Sequence, residues 1–297
     1  MTRTLACLSL ASAMVMTGAN VPIGKVIVAD LPVYQFAVLR FLGASLLLAM
    51  LSWHETGPRL SDLSWRDWRD VTAMALLGMV LYTVFILEGV RRTTSADAGI
   101  ILATLPAVVA VLGAVVLRER VGMRQLGAVA LAAGGIALIL TGGAGGGGPA
   151  TAGAGSLLGD ALVGGAVLGE AAFVLLSRRL SGVLSPVRLA LAGSLVACVL
   201  SLPMAMIAGE VARLAEVSWR VWALAGWYTL SASVLCLVLW YRGVGHVETW
   251  MAGICTACLP LSALAVSVVF LGEAVSAAQA AGAALVLLAI GMGSLAR

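Results

Sequence analysis

The sequence is poor in charged residues, which make up 11% of its 297 positions, whereas soluble domains carry about 25%. Apolar residues reach 61% even without glycine, above the roughly 45–50% that soluble domains reach with glycine included. This composition excludes an ordinary soluble domain and predicts an integral membrane protein. The net charge of +4 comes largely from short loops between apolar runs, where the positive-inside rule explains it. Nucleic acid is therefore not an expected partner.

Groups that enzymes use are equally scarce. The two histidines, His54 and His246, lie in different loops, and neither an H-E-x-x-H nor a G-x-S-x-G motif occurs. An intramembrane enzyme is the rival class, but the sequence favours a protein without catalytic residues, metal or cofactor. Cys255 and Cys258 have C-x-x-C spacing, yet with no second pair and no nearby histidine we interpret them as packing residues.

The glycine-rich stretch at 142–155 also lacks the context of a nucleotide site. No strand precedes it and no Gly-Lys-Ser/Thr follows it, as a phosphate-binding loop would require. We interpret it as a flexible connector, and ATP hydrolysis is not expected.

What the sequence does contain is one pattern that occurs twice. Pro106 recurs 154 positions later as Pro260, and the same offset relates the Ser-Trp-Arg runs that begin at Ser64 and Ser218. A match without gaps over so much sequence indicates a duplicated structural unit.

Apolar stretches of about 20 residues, the length of a membrane-spanning helix, predict an all-α membrane protein with ten spans. Five lie in each of two repeat units, 1–150 and 151–297. The spans are 5–24, 33–53, 71–90, 98–117, 122–141, 157–177, 187–207, 221–241, 250–271 and 275–295. Because five is odd, the second unit must enter the membrane from the opposite side, and such inverted repeats are typical of transporters.

The first span could instead be a cleaved signal peptide. Its counterpart at 157–177 cannot be one, so we interpret the first as a retained span. Placing the amino terminus in the cytoplasm puts most loop Lys and Arg residues on the inner side. We therefore expect a multi-pass protein of the inner membrane, in contact with the lipid bilayer, with both termini in the cytoplasm.

A proline interrupts the fourth span of each unit, Pro106 in the first and Pro260 in the second. Each removes a backbone donor and would free a carbonyl four residues earlier, at Leu102 and Thr256. Interrupted spans at matching positions favour the transport site, so both prolines are candidate cavity walls. Ordinary helix kinks are the alternative.

Two ionisable residues fall inside spans. Glu170 lies near the centre of the sixth span, where a charge costs about 3 kcal/mol by insertion scales. It could bind a cation or exchange a proton, or it could make a structural hydrogen bond in its protonated form. Arg40 lies about 10 Å into the second span at 1.5 Å per residue. It could bind a carboxylate, although a structural role that holds helices together is favoured.

Polar and aromatic residues complete the candidate site. Asn20, near the outer end of the first span, offers a donor and an acceptor. Tyr82, Trp227 and Tyr228 lie within spans and could stack on a ligand, whereas packing or lipid contact is the more frequent role of such rings. Asn20, Tyr82, Glu170 and Trp227 are thus the expected substrate-binding residues.

The sequence resembles the drug/metabolite transporter superfamily, specifically its EamA-type members, over nearly its whole length. The matching stretches are Thr17-Gly18-Ala19-Asn20, Arg40-Phe41-Leu42, Leu105-Pro106, Leu117-Arg118-Glu119, Ser177-Arg178-Arg179, Leu259-Pro260 and Leu271-Gly272-Glu273. The resemblance implies a central cavity built by the first, third and fourth spans of each half, with the fifth and tenth peripheral. It also implies small metabolites such as amino acids as substrates, often exported. Thr17 and Glu170 depart from the family pattern and imply a more polar cavity.

We therefore expect a secondary transporter or facilitator, an exporter of amino acids or related small metabolites, that works by alternating access with hydrophobic gates. The alternative is a proton-coupled multidrug or cationic-amine exporter that uses Glu170. Whether the protein forms a homodimer stays open.

Overall fold

The computed structural model describes residues 1–53, 55–90, 92, 101–142, 157–208, 217–271 and 275–295. Two features of the sequence lie outside these ranges: residues 143–155 of the glycine-rich stretch, and Glu273 of the Leu271-Gly272-Glu273 match. Within them the chain is helical, without strands. The helices are α1 (Arg3–Asp30), α2 (Val33–Ser52), α3 (Trp65–Ala75), α4 (Tyr82–Val90), α5 (Leu105–Val116), α6 (Met123–Gly142), α7 (Leu157–Leu180), α8 (Pro186–Ile207), α9 (Trp219–Tyr228), α10 (Cys236–Val244), α11 (Thr249–Cys255), α12 (Cys258–Leu271) and α13 (Ala277–Leu295).

Seven helical segments of the described chain are long and apolar enough to cross a membrane: Val33–Ser52, Trp65–Ile86, Met123–Thr141, Leu157–Leu180, Pro186–Ile207, Trp219–Val244 and Thr249–Val266. Leu105–Val116 and Ala277–Met292 are shorter apolar helices. The prediction of an all-α, multi-pass membrane protein is confirmed, and the count of ten spans stays a prediction.

Serine caps begin the third helix of each half. Ser64 Oγ accepts the Asp67 backbone N–H at 3.3 Å, and the Asp67 carboxylate accepts the Ser64 backbone N–H at 3.0 Å. This reciprocal pair satisfies donors that have no partner within the helix. Ser218, the repeat counterpart of Ser64, likewise accepts the Val221 N–H at 3.4 Å. The duplication therefore preserves the capping residue and with it the start of the helix.

Each half also carries a π-helical segment at a matching position. Leu76–Leu81 separates α3 from α4, and Thr229–Leu235 separates α9 from α10. Leu81 and Leu235, which end the two segments, are repeat counterparts in the sequence. Such segments insert an extra residue into a helical turn and are frequent at functional sites. The sequence did not predict them.

The two repeated prolines do not kink the interior of a helix, which corrects the expectation. Pro106 occupies the first turn of α5, and Pro260 is the third residue of α12, after a break that follows Cys255. A proline is tolerated in a first turn because its missing N–H would have no partner there. The Thr256 carbonyl is not free either, since it accepts the Leu259 N–H at 3.0 Å.

The halves pack with approximate two-fold symmetry. Helix α2 packs on α8 and α6 on α13, and the pairing of α4 with α7 matches that of α10 with α1. Counterpart glycines make two of these contacts. A Cβ on Gly89 would lie 2.7 Å from Val163 Cγ2, and one on Gly243 would lie 2.8 Å from the Ala6 carbonyl oxygen. The symmetric packing forms a space between the halves.

Candidate functional site

A cavity of about 540 Å³ lies between the two halves. Its walls come from α1, α2, α4, α7 and α10, from both π-helical segments, and from Tyr228 and Leu259. It reaches the end of the bundle where Val28 and Val33 flank the connection between α1 and α2. The second span thus contributes to the walls, and among the described residues α5 does not. The first and third spans of each half line the cavity as the resemblance implied, and Leu259 represents the fourth span of the second half; the contribution of the second span is the departure.

Glu170 lines this cavity from α7. Its position is set by a close helix contact, because a Cβ on the neighbouring Gly169 would lie 2.5 Å from the Leu77 carbonyl oxygen. In the described part of the chain, the Glu170 carboxylate makes no hydrogen bond or ion pair to another residue. Gly165, one turn earlier on α7, likewise allows close approach, because a Cβ there would lie 3.0 Å from Phe85 Cδ2.

Arg40 lines the same cavity from α2. Its guanidinium carbon lies 4.3 Å from the centre of the Phe41 ring and 5.5 Å from that of the Tyr228 ring. These are cation–π distances. The buried Nε has no hydrogen-bond partner among the described residues. Among the described residues, the cavity wall therefore contains one acidic and one basic side chain.

Tyr228, rather than its neighbour Trp227, faces the cavity. Its ring meets the edge of Phe36 with centroids 5.3 Å apart and an interplanar angle of 80°. Trp227 is 54% exposed and is not part of the cavity wall. A helix turns by about 100° per residue, so adjacent residues face different sides. The choice of Trp227 as a cavity residue is thus corrected.

Hydroxyl groups add polarity to the walls. Tyr82 lines the cavity at the first turn of α4, as expected, together with Thr17 and Ser233. The Thr17 hydroxyl oxygen lies 3.0 Å from both the Ala13 carbonyl oxygen and the Cys236 sulfur. The sequence indicated Thr17 as a family departure and Tyr228 as an in-span aromatic, but neither was among the expected site residues, and Ser233 was missed.

Asn20 lies behind the wall rather than in it. It is 2% exposed, and its side-chain amide donates to Ser231 Oγ at 2.9 Å and to the Met16 carbonyl at 2.7 Å. It therefore joins α1 to the second π-helical segment, while its Oδ1 has no partner in the described chain. Pro106 and Pro260 are likewise absent from the cavity wall. Leu259, the residue before Pro260, does line the cavity.

Trp240 and Phe173 form the floor of the cavity. Their ring centroids lie 6.1 Å apart, and Trp240 Nε1 donates to Ser177 Oγ at 3.0 Å. Beyond this floor, charged groups of the two halves meet. Arg3 pairs with Glu248 at 3.2 Å, and Arg179 pairs with Asp70 at 3.2 Å. This end, termed the closed end, combines an aromatic floor with ion pairs beneath it, and the expectation of hydrophobic gates stays a prediction.

An apolar helical bundle that encloses a charged cavity, closed at one end, belongs to the class of multi-pass membrane transporters. The chain belongs to the EamA-like transporter family, whose sequence pattern matches residues 4–141 and again residues 157–294. The resemblance noted in the sequence is therefore confirmed.

The chain is also similar to "Uncharacterized transporter YetK" of Bacillus subtilis (strain 168). The two are 34% identical over 271 residues, which cover 90% of this chain and 80% of that relative. A solved protein crystal structure superimposes with a TM-score of 0.82 over 99% of this chain and 98% of that chain, at 18% identity. At that identity the superposition supports the fold alone.

Proposed function

We propose that this membrane transporter moves small zwitterionic solutes, amino acids or closely related metabolites, out of the cell across the inner membrane by alternating access. Both termini would lie in the cytoplasm. The observation that carries the proposal is the presence of Glu170 and Arg40 in one cavity.

The two charges favour a solute with both signs. A charged side chain inside a membrane costs about 2.5–3.5 kcal/mol by insertion scales, and an oppositely charged ligand offsets part of that cost. An ammonium group can bind the Glu170 carboxylate while a carboxylate binds the Arg40 guanidinium, which suits planar two-oxygen groups. A cation alone would leave Arg40 uncompensated, and an anion alone would leave Glu170 uncompensated.

Size and polarity agree with such a solute. The volume of about 540 Å³ falls in the range of small-molecule sites, about 300–1,000 Å³. Thr17, Tyr82 and Ser233 bring hydroxyl groups to the wall, whereas Phe36 and Phe41 bring apolar surface. The hydroxyls can complete the hydrogen bonds of the charged ends, and the rings can contact an apolar side chain.

A cationic-amine exporter that uses Glu170 for proton exchange is the second candidate. The observation in its favour is that the Glu170 carboxylate has no ionic partner among the described residues. In that case Arg40 would serve only to hold α2 against α9 through the Tyr228 ring.

Matched solutes separate the two candidates. Vesicles containing the purified protein are tested with leucine, 3-methylbutylamine and 4-methylpentanoate, which share a carbon skeleton but differ in charge, and with the corresponding phenylalanine series. We expect the wild type to move the amino acids, and Glu170→Gln and Arg40→Gln each to lower that flux at least tenfold. Glu88→Gln, outside the cavity, is the control.

The alternative predicts a different pattern. The amines would then move in a pH-dependent manner, with flux lost in Glu170→Gln and kept in Arg40→Gln. Amino-acid flux that is unchanged in both cavity variants would contradict the zwitterion proposal.

A further inference from the structure

The Arg40 guanidinium contacts two aromatic rings. Its central carbon lies 4.3 Å from the centre of the Phe41 ring and 5.5 Å from the centre of the Tyr228 ring. The Tyr228 ring is in turn supported by its edge contact with Phe36. Contacts with two rings restrict the orientations open to the guanidinium, and a restricted guanidinium fork is suited to a carboxylate, whose two oxygens it can bind together.

Resting on the proposed function, we propose that Tyr228 is a positioning residue that makes the site selective for solutes bearing a carboxylate. Tyr228→Phe keeps the ring and is expected to leave leucine transport near wild type. Tyr228→Leu removes the ring and is expected to raise KM for leucine about tenfold with little change in the maximal rate, since orientation rather than the transport step is affected.

The outcomes keep the two proposals apart. No leucine flux in the wild type overturns the proposed function itself. Leucine flux in the wild type with an unchanged KM in Tyr228→Leu overturns the positioning role alone. A tenfold rise in KM in Tyr228→Phe would assign the effect to the hydroxyl rather than the ring, and would also overturn it.

A different set of contacts, at the closed end, supports a second inference. Glu119 of the first half reaches Thr249 of the second half with both carboxylate oxygens, accepting the Thr249 N–H at 2.9 Å and the hydroxyl at 2.8 Å. Arg178 pairs with the same carboxylate and donates to the Thr249 hydroxyl oxygen at 3.0 Å. We call Glu119, Arg178 and Thr249 the latch.

The backbone before Glu119 is shaped to make this contact. Arg118 adopts φ 55°, a left-handed conformation that costs a non-glycine residue about 1–2 kcal/mol. It turns the chain after α5 so that the Glu119 N–H donates to the Gly113 carbonyl at 3.2 Å. Gly113 also lets the halves approach, because a Cβ there would lie 2.8 Å from Thr249 Cβ. Strain of this kind concentrates at functional positions.

Other contacts between the halves occur at the same end. Besides the Arg3–Glu248 and Arg179–Asp70 pairs, Arg188 donates to the carbonyls of Glu55, Gly57 and Pro58 at 2.6 Å each. Three ion pairs between described residues join the two halves at this end. The cavity extends toward the opposite end, so the halves must separate at the closed end for the other face to gain access.

We infer that the latch sets the resting state of the transporter by holding the closed end shut. Glu119 and Arg178 are largely buried, with side chains 12% and 24% exposed. Charge-assisted hydrogen bonds in such surroundings are among the strong ones. Their loss shifts the equilibrium toward the state that opens at this end, and we expect a shift of about tenfold.

Thiol labelling measures that shift without any substrate. Ala232, in the cavity wall, is changed to Cys in a chain whose five native cysteines are replaced by Ala. An impermeant thiol reagent is then added to sealed vesicles of either orientation. Glu119→Gln is expected to raise the labelling rate from the closed-end side about tenfold and to lower it from the other side.

Controls make the result decisive. Glu88→Gln alters the ion pair that Glu88 forms with Arg92, four residues further along the first half. It is expected to leave the labelling rates from both sides unchanged. Thr249→Val, which removes only the hydroxyl, serves if Glu119→Gln does not insert stably, and is expected to act in the same direction. Unchanged labelling in the stable latch variant overturns the inference.

Discussion

At the scale of single residues, Gly169 fixes where the Glu170 carboxylate lies. The backbone of α7 touches the first π-helical segment at this point, and a Cβ would come within 2.5 Å of the Leu77 carbonyl oxygen. Gly164, on the same helix, has no described neighbour within 4 Å of the position of its missing Cβ, apart from the backbone of its own helix and its adjacent residues. The two glycines form a matched pair for testing the close contact.

Gly169→Ala is expected to lower the stability of the protein in detergent by about 1–3 kcal/mol, because the added methyl group forces two backbones apart. It should also lower solute flux, because Glu170 moves with the helix. Gly164→Ala should be neutral or stabilising by up to about 1 kcal/mol, since alanine favours helix. Thermal unfolding of both variants is the measurement, and equal melting temperatures would contradict the account.

The sequence predicted some cavity residues and not others for a physical reason. Ionisable residues are costly in apolar spans, so Glu170 and Arg40 could be identified as candidates, and both line the cavity. Asn20 and Trp227 could not be placed, because composition does not define which side of a uniformly apolar helix faces inward. Tyr228 could be named only together with Trp227, and its contacts with Phe36 and Arg40 distinguish it from that neighbour.

At the scale of elements, serine caps determine where helices begin. The Ser64 hydroxyl oxygen accepts the Asp67 N–H, and the Asp67 carboxylate accepts the Ser64 N–H. These two hydrogen bonds support the first turn of α3. Ser64→Ala is expected to cost about 1 kcal/mol, the usual loss for an N-cap.

Ser61→Ala provides the comparison, because the Ser61 hydroxyl donates only to the adjacent Asp62 carboxylate in an exposed turn. It should change the melting temperature little. A loss in Ser61→Ala as large as that in Ser64→Ala would show that the cap is not the source of the effect.

Helix starts could be predicted from the sequence, and interruptions only in part. The Ser-Trp-Arg runs carry a capping residue, and both begin helices as described. The repeated prolines indicated the correct breaks but not their geometry, because a proline is compatible with a kink or with a first turn. The π-helical segments have no local signature, since one extra residue leaves a long apolar run unchanged in composition.

At the scale of the whole molecule, the duplication explains why the cavity lies where it does. The counterpart pairs α2 with α8 and α6 with α13 pack across the halves, and the cavity wall is built from the counterparts α1 and α7, α4 and α10, and the two π-helical segments. The repeat in the sequence predicted this partnership. The latch could not be predicted, because Glu119 and Thr249 are distant in the sequence and meet only after the halves have docked.

The central claim is that this transporter alternates between two states around one solute site, and counterflow tests it most directly. Vesicles containing the protein are loaded with unlabelled leucine and diluted into a trace of labelled leucine. A carrier with a single alternating site predicts that the label accumulates transiently above its equilibrium level, and that Arg40→Gln abolishes this overshoot. A label that only approaches equilibrium, without overshoot, in vesicles that do transport leucine would contradict the account.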